Sequence, residues 1–279
     1  MNENQTNQQE ELMQQTNDGY EELTRVVEPE AIKMTAVERL IGIFIAPGQV
    51  MENVRHFPVI FMPFLFAAII GIISIVPNVR MTNVMTEEMS HISIERYGVD
   101  FFDFSAALDE YGSVDMGAIM DGVMTVTMVA NAFITPFIYS FIAALGIFIL
   151  CKICGGPAKF VQIFSMYMHV YVILALGGLV TSSFIMFTGR FIDPTTLASI
   201  MMPQGRIDDV FFNILSSIGI FPIWATVLAF VGVKVLNNFC NVKSGVIVAI
   251  ALVVSSAVYV VSLMSTWWMY DRMMAAGLF

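Results

Sequence analysis

The sequence predicts an all-α integral membrane protein, a bundle of five transmembrane helices entered through N-terminal amphipathic interfacial helices. Three observations predict it. Val59 to Val76 runs eighteen residues without a charge, and further apolar stretches begin at Val123, Tyr167, Ile214 and Val246. A run of about 18 such residues can cross a hydrocarbon core about 30 Å thick, and a helix satisfies its own backbone there. Of the 279 residues, 57% are hydrophobic and 13% charged, and the mean hydropathy is +0.75, outside the range of an ordinary soluble domain. The intervening segments are too short for a second packed core, so residues 34–279 read as one membrane domain behind a tail.

The tail, residues 1–33, is rich in Gln, Asn and Glu and is expected to be disordered and cytosolic. It lacks a basic n-region followed by an apolar h-region, so the first span is expected to act as an uncleaved anchor. Thr35 and Glu38 have capping-box spacing, and Val37, Leu40, Ile41, Phe44 and Ile45 then recur on one helical face. Pro47 and Gly48 end that helix. A second short amphipathic piece carries Val50, Met51 and Val54 and stops at Pro58. Both pieces are expected to lie on the cytosolic leaflet as interfacial helices.

Span one follows, over Val59–Val76. Residues 77–122 form the longest hydrophilic loop, strongly acidic but interleaved with apolar residues that suggest short helices, and it is assigned outside the cell. Span two, Val123 to Cys151, contains Asn131 and Pro136 and is expected to kink or to extend beyond the bilayer. The connector KICGGPAKF leads to span three, Tyr167 to Thr188. In the next loop Asp193 before Pro194 has the pattern of a helix N-cap with Pro at the first position. Span four covers Ile214 to Val233 and span five Val246 to Leu263. Trp267, Trp268 and Tyr270 follow as an interfacial aromatic cluster.

Charge orients the chain. With the tail in the cytosol, the two inner connectors carry Lys152, Lys159, Lys234 and Lys243 and no acid, and eight Lys plus Arg lie inside against five outside. This predicts a plasma-membrane protein with a cytosolic N-terminus and an extracytoplasmic C-terminus. The net charge of −10 and scattered cations argue against nucleic acid as a partner.

The spans offer little to a reaction. None carries Asp, Glu, Arg or His in its central portion, whereas ion-coupled carriers place and pair ionisable groups at membrane depth. Asn131 is the central polar residue, with an interhelical hydrogen bond as its expected role. Ala225, Ala229 and Gly232 form a small-residue stripe that suits close helix approach. His56, His91 and His169 fall on different parts of the topology, and no HExxH, GxSxG or Walker motif is present. Cys151 and Cys154 form a CxxC with Cys240 in the other inner connector, short of the four ligands of a structural zinc site. No catalytic residue, cofactor or metal is therefore predicted. The expected partners are the lipid bilayer and another membrane protein, with self-association as a homo-oligomer open.

Several segments carry a family resemblance: VMENVRHFP after Pro47, GGPAKFVQIFSMYMHV from Gly155 and FPIWATVLAFVGVKV from Phe221. They resemble the prokaryotic branch of the Yip1 family over about Leu40 to Leu263, with Gly155, Gly156, Phe160, Phe164, Tyr167 and Trp224 matching its pattern. The resemblance implies five spans, a cytosolic N-terminus and no reaction. Eukaryotic members are associated with small-GTPase-linked vesicle traffic, and some bacterial members look like accessory subunits beside ABC exporters. It implies association with other proteins rather than catalysis; with the charge-free spans and the amphipathic entry, the expectation is a non-enzymatic accessory or scaffold protein docking through Val37, Leu40, Ile41 and Phe44 and the inner connectors around Gly155, Gly156, Phe160 and Trp224. The alternative is a small-molecule channel or permease built around Asn131 and Pro136.

Overall fold

The computed structural model describes residues 33–98, 116–190, 192–202 and 205–275. The expectations for the tail up to residue 32 and for residues 99–115 of the long loop lie outside them. The described part of the compact unit Met34–Phe279 is helical throughout, with a single isolated bridge between Thr196 and Gly219.

Two short helices open it. α1, Ala36–Ile45, starts at the predicted capping box: Glu38 N donates to Thr35 Oγ1 at 3.2 Å and Thr35 N to Glu38 Oε2 at 2.7 Å. α2, Pro47–His56, begins with proline, whose missing N–H costs nothing at a first helical position. The apolar face of α2 packs on protein rather than on lipid. Its Val50, Met51 and Val54 are fully buried against α6 and α9, defined below, because the amphipathic face that could have met lipid instead fills a groove between spans.

The first span also differs from expectation. α3, Phe61–Ile73, and α4, Ile75–Tyr97, meet at Ser74 with a 57° bend. Pro77 removes the N–H that would bond the Ile73 carbonyl, and its ring crowds that carbonyl. Ser74 Oγ donates back to Ile70 O at 2.7 Å, a bond that also bends helices. Much of the predicted hydrophilic loop is thus one helix, closed by Gly98 in the left-handed conformation at φ 75°.

α5, Met116–Ile153, continues through Pro136 for 38 residues, about 57 Å at 1.5 Å per residue, and so extends past a bilayer as predicted. α6, Phe160–Thr188, starts earlier than the predicted span because its aromatic first turns continue the helix. The Asp193 expectation is corrected. Asp193 Oδ1 accepts from Thr195 N at 2.8 Å and its Oδ2 from Thr181 at 2.7 Å, closing a turn, while α7, Leu197–Met201, begins after Thr196. α8, Val210–Ser216, is capped by Asp209 and takes the residues assigned to the start of span four. Gly219 separates it from α9, Ile220–Asn237. α10, Asn241–Ala275, outruns the predicted span at both ends.

Four helices are long and apolar enough to cross a membrane, in α5, α6, α9 and α10, and the bent α3–α4 pair makes a fifth if it counts as one span. This is a multi-pass membrane bundle. α6 is its centre, packed on α3, α4, α5 and α9, with Met166, Ile173, Leu228 and Val233 among the fully enclosed side chains. A second, smaller cluster at the far end joins Ile92, Phe212, Leu215 and Trp267. Trp267 is therefore core rather than interfacial belt. Trp268 stays exposed, with the Arg272 guanidinium 4.5 Å above its ring.

The small-residue stripe of α9 faces the core. A Cβ on Gly232 would collide with Met166 and with Met51 Sδ, so α2, α6 and α9 meet at this glycine. Gly232→Val is expected to destabilise the bundle by about 1–3 kcal/mol through overpacking. Thermal unfolding in detergent checks it; Gly178→Ala, which enters open space in mid-helix, should not lower the midpoint.

Candidate interaction face

At one end of the bundle four segments are tied together: the C-terminus of α2, the connector from α5 to α6, the C-terminus of α9 and the start of α10. The α5–α6 connector is built around a helix stop. Gly155 N donates to Lys152 O at 2.9 Å and Gly156 N to Cys151 O at 2.8 Å, the paired bonds of a Schellman motif. This places Gly155 at φ 77°, where a side chain is strained. Gly156 has a different reason. Its missing Cβ leaves room for the Asn237 side chain and the Cys151 carbonyl.

Asn237 is the residue that pattern reading missed. It is buried, accepts from Ala158 N at 3.3 Å through Oδ1, and donates through Nδ2 to Val233 O at 3.1 Å and Cys151 Sγ at 3.5 Å. One amide thus fastens the connector to α9. A polar residue one turn past Val233 in an apolar helix was the available signal. Gly156→Ala is expected to displace this amide and cost about 1–3 kcal/mol by leaving a buried donor unmade. Hydrogen exchange of residues 154–159 should accelerate while α10 stays protected.

The lysines close over the same connector. Lys152 Nζ donates to Gly156 O at 3.1 Å and Lys243 Nζ to Cys154 O, each amine also lying over a ring, Phe148 and Phe239. Gln162 Nε2 donates to Arg55 O at 2.7 Å, and Arg55 reaches Asn238 Oδ1 at 2.9 Å. Phe160 does not form a free docking surface. It is half-buried in an aromatic zipper between α5 and α6, 5.5 Å from Phe141, 5.6 Å from Phe148 and 5.9 Å from Phe164. Trp224 is likewise half-buried, and its indole N–H donates to Ile43 O at 3.1 Å, joining α9 to α1.

α1 presents the opposite arrangement from a soluble amphipathic helix. Arg39, Gly42 and Ile43 are buried against the bundle, while Val37, Ile41, Phe44 and Ile45 are exposed at 58%, 53%, 40% and 77%; Leu40 lies between. Gly42 allows α1 to approach Val50 of α2. The Arg39 guanidinium donates to Asn53 Oδ1 at 2.6 Å and to Phe57 O at 3.0 Å, and burial holds it below its ordinary pKa. Asn53 also accepts from Met34 N at 3.3 Å. A polar pair thus faces inward and an apolar stripe faces out.

Asn131 is exposed on α5, away from the packed centre. Close to the packed centre, Ser140 of α5 donates to Tyr167 O of α6 at 3.4 Å, and Ser165 of α6 donates to Val59 O, just before α3, at 2.7 Å. His169 is buried on α6 with Nδ1 2.7 Å from Ser165 O, and His56 sits on α2 beside Glu52. Among the described residues no three His, Cys, Asp or Glu side chains converge as metal ligands.

Comparison with known proteins agrees with this architecture. The family model described as Yip1 domain matches residues 41–264, which runs from within α1 into the last span. Membrane protein YknW of Bacillus subtilis (strain 168) is 27% identical over 223 residues, covering 78% of this chain and 87% of that protein. No solved structure matches. The matched segment includes the glycine-stopped connector and the Trp224-bearing helix, so this chain belongs to the Yip1 family.

Proposed function

We propose that this protein is a non-enzymatic accessory or scaffold of a bacterial plasma membrane, with its N-terminus in the cytosol and its C-terminus outside. It docks another membrane protein through the stripe of Val37, Ile41 and Phe44 on α1. An ABC exporter is the partner class that the family resemblance favours. The supporting observation is the inverted burial of α1: a helix that turns Arg39 inward and three large apolar side chains outward has its apolar face available to a partner at the membrane surface. The connector glycines, Phe160 and Trp224 act in this reading as the frame that fixes α1, since Trp224 holds its backbone at Ile43. The permease alternative receives no support from Asn131, which is exposed rather than turned into the bundle.

A photo-crosslinking residue at Ile41 in the full chain, irradiated in cells, tests this. A discrete protein adduct that disappears when Val37 and Phe44 become serine is the expected result. Adducts to lipid alone would overturn the docking reading.

A further inference from the structure

Just past the bend at Ser74 lies a groove of about 560 Å³, lined by Ile75, Val76, Val79, Arg80, Asn83, Thr125 and Met186. Its position is fixed by helix register. Met186 lies two residues before the end of α6, and Thr125 opens the apolar stretch of α5. Ile75 and Val76 end the charge-free run of the first span. All three mark the edge of the apolar belt, at the end of α6 opposite the glycine-stopped connector. α3 has 13 residues, about 20 Å of helix, short of a hydrocarbon core about 30 Å thick. The groove lies just past the bend, between the start of α4 and the facing ends of α5 and α6.

Its lining is divided by chemistry. Ile75, Val76, Val79 and Met186 form an apolar floor, and Arg80, Asn83 and Thr125 supply polar groups around it. Arg80 has no carboxylate or hydrogen-bond partner among the described residues, although the chain carries 23 acids to 13 Lys plus Arg. The acids nearest in sequence on the same helix, Glu87 and Glu88, stand about two turns further along. A guanidinium with no partner among the described residues, beside an apolar trough at the edge of the apolar stretches of α5 and α6, matches a group that is anionic at one end and a hydrocarbon at the other.

We infer that this groove binds one glycerophospholipid, with an acyl chain along Ile75, Val76 and Val79 and its phosphate on Arg80. Asn83 and Thr125 hydrogen-bond the headgroup or glycerol oxygens. The lipid completes the short first span and fills the wedge behind the bend.

Native mass spectrometry of the full-length protein in detergent tests it with dioleoyl phosphatidylglycerol as the probe and dioleoylglycerol, which lacks the phosphate, as the comparison. The unsubstituted protein is expected to retain one phosphatidylglycerol at least tenfold more tightly than dioleoylglycerol. Arg80→Ala should abolish that difference, and Arg80→Lys should restore part of it. Val79→Trp, which blocks the trough and keeps the charge, should remove the retained lipid as well. Equal retention of the two lipids by the unsubstituted protein overturns the inference, as does phosphatidylglycerol retention unchanged by both Arg80→Ala and Val79→Trp.

Discussion

Asn53→Leu is expected to destabilise the bundle by about 2–3 kcal/mol, the cost of stripping an acceptor from a buried charged donor. Arg39 is 3% exposed, and its Nη2 donates to Asn53 at 2.6 Å. Its Nε already lacks a partner among the described residues, and after the substitution Phe57 O would be the remaining protein acceptor recorded for the guanidinium. Leucine also removes the acceptor of Met34 N. The consequence should be local first: α1 comes away from α2, and protease cleavage near Ala46 to Gly48 begins below the global unfolding temperature. Removing both partners, Arg39→Leu with Asn53→Leu, should restore part of the loss, since no charge is then left buried. A single variant indistinguishable from the parent in unfolding midpoint and cleavage rate would show that this network does not hold α1.

The second large effect falls on binding and leaves the fold intact. Val37, Ile41 and Phe44 are exposed at 58%, 53% and 40%, so replacement by serine removes side chains of which about half lies outside the bundle. The unfolding midpoint should fall by a few degrees at most, with the bundle still cooperatively folded. Partner capture is a different matter. If each side chain buries half its surface on docking, the triple substitution forfeits about 3 kcal/mol, or roughly a hundredfold in affinity. The Ile45 exposure of 77% makes Ile45→Ser a milder fourth step in the same direction. A triple variant that keeps full crosslinking to the same protein from a probe at residue 45 would sink the docking proposal, whereas loss of fold would show as a larger fall in the midpoint.

The fold was legible where one physical rule acts alone. The charge-free runs placed the spans, because hydrocarbon tolerates little else, and the Thr35–Glu38 spacing gave the capping box found in α1. Gly155 was marked by the family resemblance alone, and its physical reason, a helix stop in the left-handed conformation, came from the structure. Legibility failed where two rules compete. The apolar run through Val76 read as one straight span, yet Pro77 and the Ser74 hydroxyl together broke it. The amphipathic pattern of α2 fits a leaflet and a protein groove equally well, and Ile214 belongs to a continuous apolar stretch whose division at Gly219 depends on Asp209 capping a separate helix.

The candidate face was half visible for the same reason. Periodicity picked out the stripe of Val37, Ile41 and Phe44 but carried no information on which side of α1 meets the bundle. That choice was made by Arg39, Gly42 and Ile43, through a hydrogen-bonded cation, a close approach to Val50 and the Trp224 bond. By itself the sequence determined a multi-pass helical membrane protein of the Yip1 type, since hydropathy over about 20 residues is a one-dimensional property. Only the tertiary structure decided that α2 is core, that Asn237 rather than Asn131 joins elements, and that the first span bends, with a groove beside Arg80. Those outcomes depend on which surfaces meet, and contact between residues as distant in sequence as Ala158 and Asn237 is not encoded in local pattern.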